Sequence, residues 1–163
     1  MIWFHVASHC ERRFFCEVSM DDVHEIQKVI ARFANSFDVK DWDGMLSCFT
    51  DELYTDYSDL RGAPPQTVSA ADYVKSRRES LDHLKLHHIV GNYEADFPDS
   101  NSARCRASMV VWRKGETEES TSHCIYLFQL TKRADDWKIS GITQKILWNE
   151  GTASIRSGSK RQG

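Results

Sequence analysis

The side chains best suited to chemistry in this chain are Asp38, set at the end of an apolar run, and the histidine pair His87 and His88. A neutral imidazole accepts a proton near pH 7, and a carboxylate bonded to its other nitrogen fixes the tautomer and strengthens the base. Asp38 lies in FDVKDWD, where the negative end of a helix dipole makes a carboxylate unfavourable unless a cation or hydrogen-bond donor is near. His87 and His88 open a segment of strand character, so they point to opposite faces and one of them meets the interior. Alternation groups His88 with Val90 and His87 with Ile89, which leaves the choice open. Tyr54, Tyr57 and Tyr126 could donate phenolic hydrogen bonds from an inner surface, and His123 sits beside Cys124 on a later strand. Arg104, Arg106 and Arg113 read most simply as outward or sheet-end charges, although one could hold an oxyanion.

Other chemistries find less support. His83 and His87 have the i, i+4 spacing of a helical metal pair, but no H-E-x-x-H accompanies them, and a chain already extended at Leu86 would not let them converge. We therefore expect no metal. No G-x-G-x-x-G, Walker or G-x-S-x-G pattern occurs, so the usual signs of a nucleotide cofactor or a serine hydrolase are missing, and acid–base work needs no cofactor.

The elements that must position these groups follow from periodicity. From Asp21, apolar residues recur at Val23, Ile26, Ile30, Phe33 and Phe37, which predicts a helix of about four turns with Asp21 and Asp22 at its favourable end. Asp41 or Asp43 can cap a short second helix that buries Trp42, Met45, Leu46 and Phe49, and LYTDY alternates like a brief strand. Residues 61–67, with Gly62, Pro64 and Pro65, read as a surface loop. A third helix is predicted over 70–84, with Tyr73, Val74, Arg77, Leu81 and Leu84 on one mixed face. Four long strands are predicted at about 87–97, 103–114, 119–133 and 136–149, separated by DFPDSNS, RKGETEES and KRADD. Helices gathered in the first half and an antiparallel meander in the second give an α+β class, with a curled sheet covered on one face.

Composition bounds the rest. With 163 residues and 40% hydrophobic content the chain suits a single domain, expected at 20–150. Residues 1–19 are expected to be a flexible extension, and the polar, basic stretch 151–163 a disordered tail. The net charge of −3, from 21 basic and 24 acidic residues mixed along the chain, offers no field for nucleic acid or anionic lipid. Five cysteines without C-x-x-C spacing, and an apolar opening too short to span a bilayer, suggest reduced thiols in the cytoplasm.

FDVKDWD, TDYSDL, HHIVG and the closing DDWKISGITQKILWNE occur in the order in which similar motifs occur in fungal scytalone dehydratase. From about Asp22 to Glu150 the chain resembles that enzyme and the wider SnoaL-like group of the nuclear-transport-factor-two-like superfamily. The resemblance implies a cone-shaped α+β barrel, a bent sheet around helices, and a closed pocket that works without metal or nucleotide. It maps the orienting aspartate to Asp38, the proton-abstracting histidine of H-x-x-G to His88, and one carbonyl-polarising tyrosine to Tyr57. The pattern also departs from that enzyme. Its second tyrosine falls on Phe37, a further histidine falls near Trp112 or Arg113, and a strand asparagine falls on Tyr126, with His123 a possible substitute. The long terminal segment that closes the dehydratase pocket is also missing.

The resemblance thus implies a cofactor-independent dehydratase of secondary metabolism acting on a cyclic, enolisable polyketide-type ketone. A related cyclase or isomerase, or a module that only binds a small ligand, are the rivals. A broad outer sheet face in this superfamily further implies a homodimer or homotrimer.

Overall fold

A computed structural model describes residues 20–134 and 136–156. The flexible extension expected at 1–19 lies outside the described residues. Helix α1 (Met20–Val39) presents Ile26, Ile30, Phe33, Ala34 and Phe37 as one buried stripe. Phe33 is its anchor, meeting Phe37, Phe49 and Phe128 edge-on with ring centroids 5.3–5.8 Å apart. The helix stops at Lys40, which takes a left-handed backbone conformation at φ 61°. Helix α2 (Trp42–Leu46) follows at once, and of the two candidate caps it is Asp41 that accepts from the Gly44 N–H at 2.8 Å. A Cβ at position 44 would overlap that carboxylate, so glycine is needed there.

Strand β1 (Phe49–Asp56) leads into a single-turn helix α3 (Ser58–Arg61), an edge strand β2 (Gln66–Ser69) and helix α4 (Ala70–Leu81). Strand β2 occupies the end of the stretch read as a loop, and its pairing with β1 starts directly after Pro65. Helix α4 is capped by Ser69, which accepts from the Asp72 N–H, and it ends at Leu81, three residues before the predicted stop.

Strands β3 (Lys85–Asp99), β4 (Ser102–Lys114), β5 (Glu119–Arg133) and β6 (Asp136–Gly151) are the four long segments predicted. They form the antiparallel meander of one six-stranded sheet, in the order β2-β1-β6-β5-β4-β3. One pairing departs from expectation, because β1 runs parallel to β6. No hairpin joins those two strands, so the intervening chain lets β6 arrive in the same direction. Register shifts at Gly91/Glu94, His123/Cys124 and Gln129/Leu130 bend the long strands. The result is the α+β cone predicted, with the helices on its inner face. No helix among the described residues is long and apolar enough to cross a membrane.

Residues 151–156 correct the first part of the stretch read as a disordered tail, while 157–163 lie outside the described residues. Residues 152–156 form a 3-10 turn that buries Ile155, and Arg156 donates to the Gly151 carbonyl at 2.6 Å. Composition marked the segment as polar but hid the one apolar residue that anchors it.

Candidate active site

Asp38 stands one residue from the end of α1, and both of its carboxylate oxygens are taken by one residue of β3. Oδ1 lies 2.6 Å from His88 Nδ1, and Oδ2 accepts the His88 backbone N–H at 2.9 Å. These contacts supply the donors that a carboxylate at a helix C-terminus requires. Lys40 adds a nearby cation, held to the Leu81 carbonyl at 2.9 Å. A carboxylate only accepts, so Nδ1 carries the proton and Nε2 is left with its lone pair. Phe37 packs its ring on the imidazole at 5.0 Å and 24°, fixing the plane of His88 from the helix side.

The strand alternation left open by sequence is now settled. His88 lies on the inner face with Leu86 and Val90, its side chain only 6% exposed, while His87 points outward and stacks on Trp112. His83 lies beyond the end of α4, and no group of three metal-ligating side chains forms among the described residues.

His88 lines a narrow pocket inside the cone, with about 410 Å³ of empty space that includes the open solvent at its mouth. Its walls come from every layer of the cone. Phe37 ends α1, Tyr57 and Arg61 flank α3, Tyr73 and Arg77 come from α4, Arg113 and Tyr126 from β4 and β5, and Gln144 from β6. The phenols form an ordered set. Tyr57 and Tyr73 share a hydrogen bond of 2.7 Å, and Tyr126 accepts from Gln144 Nε2 at 2.8 Å. Burial raises the pKa of all three, most strongly for Tyr73 and Tyr126, so at neutral pH they stay protonated donors.

Of the residues singled out in the sequence, Asp38, His88, Tyr57, Phe37, Arg113 and Tyr126 meet at this pocket. Tyr54, Trp112 and His123 do not, and for one reason. Their strand neighbours Leu53, Val111 and Cys124 point inward, so period-two alternation sends these three outward. His123 stacks on Trp148 at 4.0 Å on the outer face and cannot substitute for anything inside. The sequence reading missed Tyr73, Arg77, Arg61, Gln144 and Arg156. Tyr73 and Arg77 carried a signal, since a tyrosine and an arginine four apart on a buried helix face need a polar partner.

The His88 pKa is lowered from its usual 6.5: burial outweighs the opposing hydrogen bond and charge of Asp38, and Arg113 and His87 add to the lowering. The imidazole is therefore a neutral, available base at pH 7. Protonation is harder in the folded state, so this group's contribution to stability is complete above 6.5 and is lost as pH falls through the lowered value. NMR titration of the His88 ring is expected to give a midpoint below 6.5, moving lower still when Asp38 is neutralised. A midpoint above 6.5 would mean that Asp38 outweighs burial.

Known proteins share the sequence pattern and the fold. A scytalone dehydratase-like protein of Passalora fulva is 23% identical over 142 residues, covering 80% of this chain and 88% of that protein. A dehydratase of Pestalotiopsis microspora is 27% identical over 142 residues, covering 80% and 89%. The crystal structure of the Kfla4162 protein of Kribbella flavida superposes with a TM-score of 0.77 at 24% identity, over 84% of this chain and 97% of that one, and so shares the fold. The family model of the SnoaL-like domain matches residues 18–143, most of the chain and both Asp38 and His88, and the chain belongs to the SnoaL-like family.

Proposed function

We propose that this protein is a cofactor-independent dehydratase acting on a cyclic, enolisable ketone of polyketide type. The observation that carries the reading is the buried Asp38–His88 pair, whose free imidazole nitrogen belongs to a pocket walled by phenols and aromatic rings. His88 Nε2 takes a proton from the carbon beside the ketone, and the electron pair moves onto the carbonyl oxygen as an enolate. Tyr126 and one phenol of the Tyr57–Tyr73 pair donate to that oxygen while the charge develops, the other phenol's hydrogen being held in their shared bond. The enolate then re-forms the carbonyl and expels the β-hydroxyl, which leaves as water with the proton held by His88. The two relatives named as dehydratases support this outcome.

Phe37 stands where the dehydratase resemblance called for a phenol. In this reading Tyr73, from α4, supplies a second phenol beside Tyr57 instead. Proton abstraction without expulsion gives an isomerase, and attack of the enolate on an internal carbonyl gives a cyclase, so the products decide among them. The test incubates the protein with hydroxylated tetralones in D2O and follows α-proton exchange and loss of 18 mass units together. Exchange with water loss supports the dehydratase, and exchange alone favours an isomerase or cyclase. No exchange on any ketone would favour a binding module.

We further propose a homo-oligomer, dimer or trimer, formed through the outer sheet face. Ile89, Val110, His123 and Trp148 form a continuous cross-strand row there, with Ile89 and Trp148 each more than half exposed. A second copy with the same row can cover it by symmetry. Light scattering at micromolar concentration is expected to give a multiple of the 18.8 kDa chain mass, and Trp148→Lys is expected to lower it. A wild-type monomer would refute the assembly.

A further inference from the structure

Four guanidinium groups, those of Arg61, Arg77, Arg113 and Arg156, line the pocket, and no carboxylate lines it with them. Asp38 lies behind His88, with both oxygens engaged. Among the described residues none of the four arginines forms an ion pair, and the stretch 157–163 contains no acidic residue.

Their remaining contacts are few. Arg113 is 7% exposed and donates one hydrogen bond, from Nη1 to Ser122 Oγ at 2.9 Å. Arg77, equally buried, donates to Ser76 Oγ at 3.1 Å, lies 5.6 Å over the Tyr73 ring and has no partner for Nε. Arg61 lies 4.9 Å over the Tyr57 ring, also with Nε unpartnered. Arg156 donates to Ser120 Oγ and the Gly151 carbonyl. Asp72 shares an adjoining outer cavity with Arg61 and Arg77, but its Oδ2 accepts from Ser69.

A buried guanidinium without a counter-charge is costly, and the cost is offset when an anion enters. We propose that the substrate carries a carboxylate on its ring system and that Arg113 binds it. Arg113 is chosen because it lines only this pocket, with Tyr126 and Gln144, whereas Arg61 and Arg77 also line the adjoining cavity that holds Asp72. A planar guanidinium matches a carboxylate in two parallel hydrogen bonds. The Oε1 of Gln144, fully buried and unpartnered, is the acceptor for a hydroxyl on the same ring system. The aromatic walls Phe37, Tyr57, Tyr73 and Tyr126 suit a flat ring rather than a phosphate ester on a flexible chain.

This inference deepens the dehydratase reading and rests on it for the reaction, but its test is binding alone. Calorimetry compares 3-hydroxy-2-naphthoate with its neutral carboxamide on the wild-type protein. The carboxylate is expected to bind about tenfold tighter or more, the difference a charge-assisted pair provides. Arg113→Met is expected to abolish that preference and Arg113→Lys to keep part of it, while Arg104→Met on the exposed face leaves it unchanged. Should Arg113→Met not fold, the wild-type pair and Arg113→Lys still decide. Equal binding of the two probes, binding of neither, or a preference lost in Arg61→Met and kept in Arg113→Met would overturn the proposal. Water loss from neutral ketones without any carboxylate preference would sink this inference alone. A carboxylate preference without α-proton exchange would sink the dehydratase reading alone.

Discussion

Replacing His88 by asparagine is expected to lower kcat/KM for water loss by about 10²–10⁴-fold while leaving the fold intact. The substitution is chosen for its atoms. An asparagine amide N–H sits where the imidazole carries its Nδ1–H, so it can still donate to Asp38 Oδ1, now 2.6 Å away. The backbone N–H that reaches Asp38 Oδ2 is untouched. What disappears is the Nε2 lone pair, the group that takes the proton in the proposed mechanism. Steady-state kinetics on the best tetralone substrate, with circular dichroism to monitor folding, make the measurement. A folded variant within about threefold of wild type would remove His88 as the base, since a general base contributes far more.

The parts of this molecule that were legible in the sequence are those governed by local periodicity. The stripe Ile26, Ile30, Phe33 and Phe37 announces α1 because burial of one helical face needs no information from elsewhere in the chain. The four long strands announce themselves through β-branched and aromatic content bounded by turn residues. Strand β2 was not legible, since four residues after two prolines carry too little pattern to distinguish an edge strand from a loop. The parallel pairing of β1 with β6 was equally hidden, because it depends on where a distant chain end returns.

The site divides along the same line. Asp38 and His88 could be paired only through family resemblance, since helix position and strand alternation do not say which histidine faces in. Tyr54, Trp112 and His123 were misplaced because the phase of each strand was not used. The inward positions of Leu53, Val111 and Cys124 exclude all three. Arg113 was read with Arg104 and Arg106 as an outward or sheet-end charge of which one could hold an oxyanion, and Arg77 as part of a mixed helix face. The convergence of four arginines exists only in three dimensions. Arg61 precedes a loop, Arg77 sits on a helix, Arg113 on a strand and Arg156 in the polar tail, yet they line one pocket. Arg77 and Arg113 are buried, and no carboxylate among the described residues pairs with any of the four, which distinguishes this pocket from a neutral one.

Asp38→Asn is expected to lower turnover by a comparable factor, about 10²–10⁴-fold, for a different reason, and in one of its two rotamers to destabilise the fold as well. Both carboxylate oxygens accept from His88, one from the ring and one from the backbone. An asparagine side chain replaces one of the two acceptors by a donor, so one rotamer breaks a contact and the other reverses the ring tautomer. If its oxygen faces Nδ1, the amide NH2 meets the His88 backbone N–H, donor against donor. If it is flipped, the NH2 donates to Nδ1 and forces the proton onto Nε2, which leaves no base. Protein relaxation will choose between these, and each costs activity. In the first rotamer the unpaired N–H should lower stability by about 1–3 kcal/mol in denaturant unfolding, whereas the flipped rotamer keeps both contacts and loses only the base. The double variant provides the decisive comparison. If Asp38 acts only by orienting His88, removing it from a protein that already lacks the base cannot slow the reaction further. The double variant should then turn over at the rate of His88→Asn. A further loss of about tenfold or more would give Asp38 a role independent of His88, such as electrostatic contact with the substrate, and would break the dyad into two separate groups.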